Sequence, residues 1–197
     1  MNDSDIPGGK QGISVESNDT EWAKLVSRAI RGLLVRKGVS VRRLAAELAR
    51  LGTAESTRSL EGKLHRGTFR LGFFLQVIDA LQADRPLHWC ESMRCTGDWD
   101  ARAARLLLSE IEARPWLSWA EVSRRLAYID ENWDSHELAV AVSSGDFAAT
   151  LFFQCAVVCS FQGVDIFVDQ SDLYEAARKG AADVRRRAQG GAESDVT

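Results

Sequence analysis

Apolar residues recur along this chain three and four positions apart and rarely alternate. Leu25, Ala29 and Leu33 mark one stripe, and Leu44, Leu48 and Leu51 mark a second. That period predicts amphipathic helices. Trp22 to Arg36 reads as the first helix, ended by Lys37-Gly38, with glycine suited to the left-handed position after a helix. Ser40 is a good N-cap for a second helix running to about Arg50, and Gly52 ends it. Ser56 or Thr57 opens a third, which carries Leu60 and Leu64 inward and closes at Gly67. A fourth runs from about Phe69 to Leu81 with an apolar face of Phe73, Phe74, Val77 and Leu81. The stretch Val164 to Val168 is β-branched and aromatic, the composition of a short edge strand or an extended connection. The fold class expected is all-α.

The same helical pattern occurs twice. A shift of 78 positions lays Val39–Leu81 on Leu117–Cys159 without a gap. Ser40 meets Ser118, Leu48 meets Leu126, Ala49 meets Ala127, and Leu60 meets Leu138. Gly67 meets Gly145, Phe69 meets Phe147, Phe74 meets Phe152, and Gln76 meets Gln154. These identities share one register and fall mostly on core-type positions, so the fold is read as duplicated. The expected division is an N-terminal disordered arm at 1–20, a four-helix module at 21–86 and a linker at 87–99. A second four-helix module follows at 100–168, then a C-terminal helix at 169–188 and a disordered tail at 189–197.

Charge is not duplicated. From Trp22 to Arg85 there are 13 Lys/Arg against 5 Asp/Glu, and from Asp100 to Val168 there are 5 against 10. The net charge of −3 hides a basic first copy and an acidic second one. A polyanion would be attracted to the first and repelled by the second. No apolar run approaches the ~20 residues that a membrane span needs. Met1 to Thr20 lacks the apolar core of a signal peptide. A cytoplasmic protein with reduced cysteines is expected.

Two helices around a glycine turn, braced by one helix before and one after, outline a helix-turn-helix. The string Gly38-Val39-Ser40, Leu44-Ala45, Leu48, Gly52, Leu60, Leu64 and Gly67 resembles the phage-repressor (Cro/C1-like) helix-turn-helix. A fuller pattern adds Trp22, Leu33, Lys63, Arg66-Gly67, Phe69 and Phe73-Phe74-Leu75-Gln76. It is similar to a bacterial helix-turn-helix-like family of uncharacterised function, over roughly Glu21 to Leu81. The resemblance implies that the third helix enters the major groove of double-stranded DNA.

A groove-reading helix needs long donors for phosphates and short polar groups for base edges. With Leu60 and Leu64 inward, Ser56, Arg58, Ser59, Lys63 and Arg66 form the outward face of the third helix. Arg42 and Arg43 start the second helix, and Arg70 heads the fourth. In the second copy these bases become Ala120, Glu121, His136, Ala141, Ser144 and Ala148. The alternative is a solvated basic surface, the usual fate of charge on a helix. Five or six phosphate contacts predict a log–log salt slope of roughly −5.

One helix-turn-helix seldom holds DNA tightly alone, and the acidic copy does not offer a second reading head, so a homodimer is expected. The acidic copy could instead bind a protein partner through Trp119, Trp133, Asp134, Glu137 and Asp146. For the tryptophans, including Trp116, core burial is the plainer account. This second reading makes the chain an adaptor or inhibitor of an enzyme or nucleoprotein complex.

Cys90 and Cys95 near His88, with Cys155 and Cys159, suggest zinc, but a single loop pair is a poor ligand set. Cys155 and Cys159 fall on the core positions of Val77 and Leu81, where a buried thiol acts as a small hydrophobe. Asp130, Glu131 and Asp134 read as a polar turn, and His136 lacks a catalytic partner. His65 reads as a residue at the negative end of the third helix, with a phosphate or base contact as its other reading. No phosphate loop or nucleophile elbow occurs. Neither an enzyme nor a cofactor is expected. Arg185, Arg186 and Arg187 read as charge complementing the end of the last helix. A second phosphate contact is their other reading.

Overall fold

Serine and aspartate caps cut the helical stripes into short rods, and the computed structural model describes residues 18–129 and 133–194. The first module consists of α1 (Asn18–Lys37), α2 (Val41–Arg50), α3 (Thr57–Arg66) and α4 (Leu71–Ala80). A short α5 (Trp89–Arg94) leads to the second: α6 (Trp99–Glu112), α7 (Trp119–Leu126), α8 (Ser135–Ser144) and α9 (Ala149–Val158). A 3-10 turn at Val164–Ile166 precedes α10 (Gln170–Ser194). Among the described residues there is no strand, and the all-α, two-module architecture is as the sequence predicts.

The caps are those of the sequence. The N–H groups of Arg43, Ser59 and Glu121 donate to the hydroxyls of Ser40, Ser56 and Ser118. Asp134, at the position of Ser56, accepts from the N–H groups of His136 and Glu137. Gly67 and Gly145 end α3 and α8 with φ of 69° and 74°. A Cβ on Gly67 would overlap the Ala23 carbonyl, and one on Gly145 would overlap the Asp100 carbonyl. Both glycines thus seat the end of one helix on the backbone of another. The glycines are 78 positions apart, but the residues they sit on, Ala23 and Asp100, are 77 apart. Trp22 of α1 therefore corresponds to Trp99 of α6, and the second copy carries one extra residue before α7.

The modules pack as reciprocal halves. Arg70 and Ala148, equivalent residues, form an antiparallel bridge. The Leu71 N–H donates to the Phe147 carbonyl (3.0 Å), and the Ala149 N–H donates to the Phe69 carbonyl (2.9 Å). Each bond is the image of the other under the 78-residue shift. Trp89 stacks on its own counterpart Phe167, with centroids 5.3 Å apart. Phe74 meets Phe167 edge-on at 5.4 Å, and Phe152 meets Trp89 edge-on at 5.4 Å. Lys37 donates to the Gln82 carbonyl as Arg114 does to that of Ser160, and both acceptors have positive φ. Reciprocal pairs of this kind define an isologous interface, here closed within one chain about a pseudo-two-fold axis. One buried apolar cluster runs through both modules.

Several expectations are corrected. Val164 to Val168 is no strand: Val164–Ile166 forms a 3-10 turn, with Val164, Phe167 and Val168 buried. The 87–99 linker holds α5, whose Trp89 is fully buried. The first helix extends to Asn18–Lys37, and residues 1–17 of the expected arm lie outside the described residues. The fourth helix starts at Leu71, leaving Arg70 as its extended N-cap. The C-terminal helix runs to Ser194, so of the expected tail 189–194 are helical and 195–197 lie outside the described residues. No described helix is long and apolar enough to cross a membrane.

Candidate nucleic-acid interface

Arg42 and Arg43 occupy the first turn of α2, and Arg58 the first turn of α3. Ordinarily acids stand there, because the helix N-terminus carries partial positive charge. In α2, α3 and α4 the first turn holds no acid. In the second copy Glu121 and Glu137 stand in the first turns of α7 and α8, the equivalents of α2 and α3, while α9, like its equivalent α4, holds no acid there. The starts of α2 and α3 therefore add fixed positive charge to a positive helix end, a locally unfavourable arrangement that an anion relieves.

Among the described residues, Arg42, Arg43, Arg58 and Arg66 are exposed and make no ion pair. They are the free cations of the predicted set. Ser56 and Ser59 are exposed beside them, although the Ser56 hydroxyl is engaged as the α3 cap. Lys63 and Arg70 are not free. Lys63 is half-buried, paired with Glu55, its ammonium 4.5 Å from the Phe73 ring centre. Arg70 turns toward the second module, bonding Asp100 at 3.0 Å and Asp146 at 2.8 Å. The sequence placed both on the contact face because the carboxylates that hold them are brought in by folding.

Several acids of the second copy are held in ion pairs or helix caps. Glu121 binds Arg124 (2.8 Å) and Arg125 (2.5 Å), which pull its carboxyl down to about 2. Asp134 is the α8 cap, its pKa lowered by the backbone N–H groups of Glu137 and His136. Asp146 belongs to the Arg70 clamp. Glu137 is exposed, without an ion pair among the described residues. Trp119 and Trp133 are half-buried against the core. Trp116 departs from the burial expectation: it is 52% exposed and carries the Arg125 guanidinium over its ring at 4.5 Å. Asp130 and Glu131 lie outside the described residues.

Sequence reasoning missed Glu110. This carboxylate is buried and accepts from the Trp89 indole N–H (3.0 Å); it contacts His88 Nε2 (2.7 Å) and pairs with Arg114 (2.9 Å). It ties α5 to α6. The one-residue slip is the signal that finds it, since Glu110 then falls on the core position of Leu33. Cys155 and Cys159 are buried, as their register predicts, and burial pushes the Cys159 thiol up to about 11. No described group of three His, Cys, Asp or Glu residues is arranged to hold a metal.

An open cleft of about 480 Å³ crosses α1 between the end of α3 and α10. His65 and Arg31, whose side chains meet at 3.3 Å, line it with Lys24 and Lys179. The cleft thus begins one residue before Arg66, and its far wall is α10.

No curated protein and no solved structure matches the chain. One family model does, described as Domain of unknown function (DUF6471), and it matches twice, over residues 22–86 and 99–164. These spans begin at Trp22 and Trp99, the pair that the Gly67 and Gly145 contacts identify as equivalent. Together they cover about two-thirds of the sequence, and the chain therefore belongs to this family, carrying its domain in two copies.

Proposed function

We propose that the chain is a cytoplasmic, sequence-specific DNA-binding protein, a transcriptional regulator that represses by occupying its site. In this reading α3 lies in the major groove in phage-repressor fashion. Arg42 and Arg43 hold the backbone, and Arg58, Ser59 and Arg66 face the groove. The observation that carries it is the set of four exposed arginines without ion pairs among the described residues, three of them at helix starts that lack acids. The same fold in the second copy replaces them with Ala120, Glu121, His136 and Ser144. It is a binding role, with no catalytic group assigned.

Reading two half-sites requires two chains, because each carries one basic α3. Such a homodimer would have to form away from the face around α4 and α9, which the two modules already bury against each other. The second module then serves as the internal partner that completes the core of the first. A protein partner for the second module is the rival reading, and the exposed side chains of Trp116, Tyr128 and Glu137 are its best support. Selection from a random duplex pool tests the proposal. Enrichment of one sequence family, lost in Arg58→Ala/Arg66→Ala, is expected. Recovery of an unenriched pool would overturn sequence-specific reading.

A further inference from the structure

The geometry points to a second DNA-backbone contact: the projecting arginine-rich end of α10, on the flank of the molecule that carries Arg66. This inference rests on the DNA-binding reading and extends the interface beyond the helix-turn-helix.

α10 runs antiparallel to α1. Arg28 pairs with Asp172 at 3.1 Å and Glu21 with Lys179 at 3.0 Å, so seven residues forward on one helix match seven back on the other. α1 begins at Asn18, three residues before Glu21, and α10 therefore passes its start about one turn after Lys179. Beyond that point Arg185, Arg186, Arg187, Ala188 and Gln189 are all exposed. Five consecutive exposed residues exceed one helical turn of about 3.6, so no side of this segment rests on the described body.

Helix-end charge does not account for the arginines. α10 has no base in its last turn, and Arg187 stands about two turns before Ser194. The dipole's effect has faded there. Nor are they used internally: Arg186 pairs with Asp183 at 3.0 Å, whereas Arg178, Arg185 and Arg187 make no ion pair among the described residues. The segment has no apolar stripe to repay its ordering, and Gly190 and Gly191 each cost about 1 kcal/mol against alanine in a helix. A polyanion along the arginines supplies what packing does not.

Position links this segment to α3. Gly67, the neighbour of Arg66, sits on Ala23, while Lys179 sits on Glu21, two residues away on α1. The cleft between them is lined by Arg31 and His65 and by Lys24 and Lys179, both of which pair with Glu21 in the same wall. Arg31 and His65 thus lie between Arg66 and α10, and Arg187 stands about 12 Å beyond Lys179 along α10. Duplex held by α3 and extending over this flank would meet Arg185 and Arg187 at its flanking phosphates.

The test is fluorescence anisotropy of the full chain with a labelled mixed-sequence duplex across a salt series. Wild type, Arg185→Gln/Arg187→Gln and Arg58→Ala/Arg66→Ala are compared, each checked for an unchanged melting curve. The α10 variant is expected to bind about tenfold more weakly, alike on all sequences, with a log–log salt slope smaller by about 2. Wild-type affinity and slope in the α10 variant, with loss in the α3 variant, would overturn the inference and leave the α3 reading intact. Loss in the α10 variant alone would keep this contact and overturn the α3 reading. No binding by wild type at low salt would overturn both.

Discussion

Trp89 stacks on Phe167, its own counterpart in the duplicated sequence, with ring centroids 5.3 Å apart and planes 22° from parallel. A residue that touches its own equivalent lies on the axis relating the two copies, and the Arg70–Ala148 bridge lies there as well. The tandem modules are therefore two halves of one core. Trp89→Ala removes a fully buried indole at that axis and should cost about 3–5 kcal/mol. Urea denaturation followed at several wavelengths should give one coincident transition for wild type and for the variant. Two separate transitions in the wild type would contradict a shared core.

Gly67→Ala and Gly145→Ala should be far more damaging than Gly38→Ala. All three glycines have positive φ, but a Cβ at Gly38 meets nothing within 4 Å, whereas at the other two it meets backbone. Strain alone at Gly38 is worth about 1 kcal/mol. Thermal melts of the three variants compare them directly. Equal losses would show that the helix-end contacts on Ala23 and Asp100 do not constrain packing.

Arg70→Met should leave DNA affinity and its salt dependence near wild type. The guanidinium is committed to Asp100 and Asp146, and such partly exposed pairs contribute at most about 1 kcal/mol to stability. Titration of the duplex used for wild type checks this. A loss as large as that of Arg58→Ala would return Arg70 to the DNA face.

The buried thiols make stability fall in alkali. Cys159 has a folded pKa near 11 against an ordinary 9.0. The folded state therefore keeps a proton that the unfolded state gives up between those values. This stabilisation is complete below pH 9 and is lost as pH rises toward 11. The urea midpoint should drop across that window, and less steeply in Cys159→Ala. At pH 8, alkylation of the native protein should label Cys90 and Cys95, which are half-exposed, before Cys155 and Cys159. Equal labelling would contradict the packing of α9.

What was legible in the sequence was local. The caps Ser40, Ser56 and Ser118, the glycine stops and the burial of Cys155 and Cys159 follow from period and residue type. So does the register of the repeat from α2 to α4. The slip that aligns Trp22 with Trp99 was hidden because the residue inserted before α7 interrupts the match. α5 is not legible there, because six residues between two polar stretches carry too little periodicity. Val164 to Val168 drew a strand reading from β-branched residues that are instead buried in a single tight turn. Pairing across the pseudo-two-fold axis was out of reach, since Arg70 and Asp146 meet only when the modules close. For the same reason the candidate face shrank from six bases to four: Lys63 and Arg70 find carboxylates in the folded chain.

The most direct test of the central claim is the salt dependence of duplex binding by wild type and by Arg58→Ala/Arg66→Ala. Four free arginines in the first module predict a log–log slope of about −4, before any contribution from α10, and a slope reduced by about 2 in the double variant. A slope identical in the two proteins, or no binding at low salt, would contradict a DNA interface on α3. The search would then turn to a protein partner at Trp116, Tyr128 and Glu137.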